Sequence, residues 1–177
     1  DSERYHTIVL DTAPTGHLIR FLELPQVALS WIRTFMKLLL KYKDVMHAGK
    51  VAEELVALSK SIKKVLALLT DAKRCEFVGV AIPERMSLEE TVDLAKSLEK
   101  LNVPMRKLLI NGVVTVEKCR FCKARHAMQD EVIGEFQTKF RRRSVELFIA
   151  PQQPHEIRGA ESLREHFDAW KEVSRKG

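Results

Sequence analysis

The residues with the most chemical content stand near the start of the chain. Asp11 follows the apolar run Ile8-Val9-Leu10 and precedes a small-residue turn, Thr12-Ala13-Pro14-Thr15-Gly16. An amphipathic segment then begins near His17. This order predicts a buried parallel strand, a tight loop and a helix. An acid at the C-terminal end of such a strand stands where α/β sheets hold their ligands. A carboxylate there can hold the water shell of Mg²⁺, and Gly16 lets backbone N–H groups approach a terminal phosphate.

The second constellation is Cys119-Arg120-Phe121-Cys122. Two thiolates at this spacing can chelate one ion, but a structural zinc takes four ligands. Cys75 is distant in sequence, and His126 falls on a predicted helix with no fourth partner. A twofold dimer in which each copy supplies Cys119 and Cys122 would complete the set. The other reading of the pair is reactive or oxidised thiols. A thioredoxin-like site would need a different flanking βαβ order.

Elements must position these groups. Residues 27–46 carry Trp31, Ile32, Phe35, Met36, Leu39 and Leu40 at three- and four-residue spacing, one continuous helical stripe. Gly49 punctuates it, and residues 50–69 form a second amphipathic helix, with Lys60, Lys63 and Lys64 on its other side. Together they predict a helical hairpin. Its stripe either packs the two helices together or, with Met36 and Met46 among its members, accepts varied apolar partners. Residues 76–82 predict a buried strand ended by Pro83-Glu84. Ser87-Leu88-Glu89-Glu90 has the capping-box pattern of a helix start. Residues 105–114 predict the next strand, so the order implies a parallel βαβ unit. Glu84 and Asn111 then fall at C-terminal strand ends. By themselves they read as a helix-start acid and a turn residue. A helix to about Phe140, a strand over 144–150, a loop with Pro151 and His155, and a terminal helix complete the chain. His155 reads as a loop residue.

Composition sets the broad class. The 177 residues are 45% hydrophobic and 31% charged, enough for a domain with a real core and without an apolar run of membrane-spanning length. The net charge of +6 includes the run Arg141-Arg142-Arg143. Such a run can meet anionic partners, but a solvated helix end suits it as well. No aromatic residues interleave with it, so no nucleic-acid partner is expected. Three cysteines without a secretory leader imply a reducing, cytoplasmic setting.

Residues 11–17, followed by Arg20-Phe21-Leu22 and Leu24-Pro25, resemble the switch II region of the arsenical pump-driving ATPase family. That family includes the ATPase that targets tail-anchored membrane proteins. Leu18 departs from the pattern, where a threonine is usual. The resemblance implies a P-loop NTPase-type α/β fold with a mostly parallel sheet. Residues 1–24 and 74–177 would form the C-terminal part of the nucleotide core, and 25–73 an inserted helical subdomain. No G-x-x-x-x-G-K-[ST] phosphate loop occurs. The chain therefore resembles the portion from switch II onward, and the expectation is that it does not hydrolyse ATP alone.

The same resemblance assigns roles. Asp11 would hold Mg²⁺ through water and Gly16 would sense the γ-phosphate. Glu84 would reach across a dimer to the partner's nucleotide. Asn111 would hydrogen-bond adenine, for which an amide has both donor and acceptor. Pro151 and the Glu156-Ile157-Arg158-Gly159 segment match the family's adenine loop. Cys119-x-x-Cys122 with Ala124-Arg125 and Met128-Gln129 matches the tail-anchored targeting branch, where the cysteines hold an intersubunit zinc. Trp31, Phe35, Met36 and Leu39 would line a groove for a client helix. The expected protein is thus a homodimeric ATPase using ATP, Mg²⁺ and Zn²⁺, with a tail-anchored client helix or a membrane receptor or pump as partner. The alternatives are the catalytic subunit of an arsenite efflux pump and an ATP-independent, zinc-linked holdase.

Overall fold

The computed structural model describes residues 5–12, 15–42, 49–115 and 119–173. The chain divides into two compact units, residues 1–66 and 67–177. The division falls within the second helix.

The first unit contains α1 (Thr15–Lys41) and most of α2 (Gly49–Thr70). α1 runs through Pro25 without a break, so the segment predicted from near His17 and the stripe predicted from residue 27 belong to one helix. Proline removes one backbone hydrogen bond from a helix interior. The strong apolar period on both sides carries the helix across that loss: Leu18, Leu22, Leu29 and Ile32 are all buried. α2 forms where its period predicts, yet none of its residues is fully buried.

The predicted strand before Asp11 is also corrected. Residues 8–10 lie in no strand, and Ile8, Val9 and Leu10 are 68%, 86% and 77% exposed. A strand's backbone must pair, and all the strands among the described residues lie in the second unit. An apolar run sets a propensity, but a ladder partner decides burial.

The second unit is an α/β layer. Its strands are β1 (Phe77–Ala81), β2 (Met105–Val113), β3 (Glu146–Pro151) and β4 (Lys171–Glu172), in spatial order β1-β2-β3-β4. The first three are parallel, and β4 joins β3 antiparallel, a short strand that the sequence reading did not predict. Helices α3 (Arg85–Leu101), α4 (Arg120–Phe140) and α5 (Gly159–Asp168) complete it.

The core lies between the sheet and α3 and α4. Leu88, Val92 and Ala95 from α3 meet Val132, Phe136 and Phe140 from α4 over Ala81, Leu108, Ile110 and Leu147. Phe136 and Phe140 stack with ring centroids 6.2 Å apart. Gly79 leaves room for two side chains of β2: a Cβ would stand 2.5 Å from Met105 Cε and 2.9 Å from Leu108 Cδ1, so both side chains would have to move. α3 ends on Asn102 in the left-handed region (φ 56°), with the Val103 N–H donating back to the Leu98 carbonyl at 2.9 Å.

Two local expectations change. Glu84, not Ser87, is the N-cap of α3 and makes no side-chain cap bond. The Ser87 hydroxyl instead accepts the Ile82 N–H at 3.1 Å, which secures the Pro83 turn. The basic run after α4 is not wholly solvated either. Arg143 pairs with Glu99 and lies 5.9 Å above the Phe140 ring, tying α4 to α3.

Candidate functional site

Parallel pairing brings three of the predicted site residues to one edge. Ala81 lies opposite Ile110, and Val113 opposite Pro151. Glu84 follows β1, Asn111 stands near the end of β2, and Pro151 closes β3. All three therefore lie at C-terminal ends of adjacent strands. This is the edge at which open α/β sheets bind ligands. Asn111 is exposed, and its Oδ1 accepts the Gly112 N–H at 2.9 Å, which leaves its amide NH₂ as a donor. The Gln152 N–H donates to the Val113 carbonyl at 2.8 Å, so the loop after β3 is fastened to the end of β2.

α4 braces this edge. Arg125 places its guanidinium 3.7 Å from the Glu84 carboxylate, with both side chains partly exposed. One turn later, Gln129 is fully buried and bonded to the backbone beyond Asn111. Neither residue was predicted to act at the site. A signal was present: Gln129 lies on the helical face of the apolar stripe Val132, Phe136 and Phe140, and a polar residue buried there needs a partner.

The start of α4 carries the thiols. The helix begins earlier than predicted, with Cys119 as its N-cap and Cys122 in its first turn. The Cys119 sulfur accepts the Cys122 N–H at 3.1 Å. The structure joins Cys119 and Cys122 as a disulfide, while Cys75 is free. Among the described residues, no group of three or more His, Cys, Asp and Glu side chains could hold a metal within one chain. Two thiols of the reduced pair make half of a tetrahedral donor set.

Asp11 and Gly16 belong to the first unit. Asp11 is exposed, and Gly16 lies in the first turn of α1. The predicted client-groove residues lie on α1. Trp31 and Phe35 are 59% and 50% exposed, with ring centroids 6.2 Å apart, and Met36 and Leu39 are half-buried. No helix among the described residues is long and apolar enough to cross a membrane.

A family model described as anion-transporting ATPase matches residues 1–169. ATPase GET3C of Arabidopsis thaliana is 34% identical over 175 residues, which cover 91% of this chain and 45% of that protein. ATPase GET3B of the same plant is 32% identical over 170 residues, 89% of this chain and 41% of that protein. ATPase GET3 of Debaryomyces hansenii is 30% identical over 177 residues, 90% of this chain and 48% of that protein. The chain spans about half the length of the curated relatives it matches. Because the match runs through nearly every element described, the chain belongs to the anion-transporting ATPase family, the arsenical pump-driving and tail-anchored targeting ATPases.

Proposed function

We propose that this chain is the C-terminal portion of a dimeric ATPase that uses ATP-driven switch movement to target tail-anchored membrane proteins. The observation that carries the reading is the sheet edge, where Glu84, Asn111 and Pro151 stand at three adjacent strand ends. Asn111 would address the adenine, Pro151 its face, and Glu84 the nucleotide of a second copy. Asp11 would hold the water shell of magnesium, which supplies charge neutralisation at the phosphates. The Gly16 backbone would follow the γ-phosphate, and its position at the start of α1 would couple nucleotide state to that helix. Residues 25–73 act in this reading as the helical subdomain, between core segments 1–24 and 74–177. The exposed Trp31–Phe35 pair supports a surface for an apolar client helix. Its setting would be cytoplasmic.

No phosphate-loop motif occurs in these 177 residues, so in this reading the chain alone should not hydrolyse ATP. The test is made in a longer form that carries a phosphate loop. Asp11→Asn should abolish magnesium-dependent turnover and leave adenine-nucleotide binding in place. Equal loss of both would count against the assignment.

A second reading is favoured by the Cys119–Cys122 disulfide. An oxidised pair cannot hold zinc, and an ATP-independent holdase set by thiol state would use the same apolar stripe. Client capture that persists without nucleotide, and only after oxidation, separates it from the first. The arsenite-pump alternative would use the reduced thiols as soft ligands.

A further inference from the structure

The register between β2 and β3 slips between Ile110 and Val113, and Gly112 sits at φ 77°. Such a bulge takes backbone groups out of the ladder. Two groups around this one are taken up by a single side chain. Gln129 Nε2 donates to the Gly112 carbonyl at 3.3 Å, and Gln129 Oε1 accepts the Val114 N–H at 2.8 Å. Gln129 is 0% exposed, on the same face of α4 as the core residues Val132, Phe136 and Phe140. An apolar residue of similar volume would fill that place without the cost of desolvating an amide. The amide therefore answers to the bulge, and not to the core. Asn111 is the residue that the bulge presents. Its Oδ1 is bonded to the N–H of Gly112, whose carbonyl Gln129 holds.

We propose that Gln129 is a positioning residue for base recognition. It fixes the Gly112 peptide and, through it, the direction in which Asn111 offers its amide to a purine. Gln129 itself is too buried to touch a ligand. The proposal rests on the reading of Asn111 as the adenine-binding residue. Adenine offers a bare N1 acceptor beside an exocyclic amine. Hypoxanthine has a proton on N1 and an oxygen in place of the amine. A fixed amide distinguishes them, and a freely turning one does not.

The test is titration of the ¹⁵N-labelled 177-residue chain with adenosine and with inosine, read at the backbone amides of Asn111 and Gly112. Wild type should prefer adenosine. Gln129→Met, which keeps the volume and loses both bonds, should reduce that preference about tenfold, the scale of one hydrogen bond. Gln129→Glu keeps the acceptor for Val114, loses the donor to Gly112, and should also lose preference. It serves as the readout should Gln129→Met fail to fold. In the Asn111→Ala background, Gln129→Met should cause no further loss, because both act through one contact. Equal weakening of both nucleosides by the Gln129 variants would show a purely structural role and overturn the proposal. So would full preference in both variants while Asn111→Ala abolishes it. No preference in wild type, or none lost in Asn111→Ala, would remove the adenine reading itself and the proposal with it.

Discussion

The Arg125 guanidinium stands 3.7 Å from the Glu84 carboxylate, so α4 reaches the end of β1 as well as the end of β2. The pair is too exposed and too long to add much stability. Double-mutant measurements of such pairs give less than about 1 kcal/mol. Arg125→Ala should therefore leave the denaturation midpoint nearly unchanged. If Glu84 serves a nucleotide, turnover in a longer, phosphate-loop-bearing form should nonetheless fall. A large loss of stability would make the pair structural instead.

Removing a core ring should act in the opposite way. Phe136 is fully buried and stacked on Phe140, between α4 and the sheet. Phe136→Ala should cost about 3–5 kcal/mol, the range for truncating a buried aromatic. Urea unfolding of the 177-residue chain measures it. A loss below about 1 kcal/mol would mean that the site collapses onto its neighbours without leaving a cavity.

These two cases bracket what the sequence made legible. The second unit was readable because its signals are local and agree: the stripe Leu88, Val92, Ala95 and Leu98 and the strand predicted over 105–114 point to one arrangement. Parallel order then places Glu84 and Asn111 together without further information. The short run Ile8-Val9-Leu10 failed because burial of a strand depends on a partner, and its own residues do not encode one. The segments read separately before and after Pro25 are one helix, because the apolar period continues across the proline. The brace from α4 was hidden because Gln129 and Arg125 act through backbone groups and a carboxylate on other elements. The local pattern says that Gln129 needs a partner, and only the long-range contact says which.

The exposed aromatic pair on α1 yields a separate prediction. Phe35 is half exposed beside Trp31, so a charge there meets water and not a packed interior. Phe35→Asp should change stability by no more than about 0.5 kcal/mol, as expected for a surface substitution. It should still abolish capture of an apolar helical peptide, if the stripe is a client surface. Circular dichroism melting and peptide cross-linking read the two effects independently. Sharp destabilisation would show that the stripe is interior packing.

Zinc stoichiometry follows from counting donors. Reduction of the Cys119–Cys122 bond takes two electrons and two protons from an added dithiol and returns two thiols at the start of α4. Those thiols are half of a tetrahedral set, and the described residues offer no metal-holding group within one chain to complete it. A second copy would supply the same two sulfurs across a twofold axis. The reduced protein should therefore bind about half a zinc per chain and sediment as a dimer, whereas the oxidised protein should do neither. Cys119→Ser combined with Cys122→Ser should remove metal and dimer together. Because protons compete with zinc for thiolates, acidification should release the metal before the core unfolds. Elemental analysis and sedimentation of the reduced chain decide it. One zinc per chain, or a dimer of equal strength without the two sulfurs, would rule out the shared site.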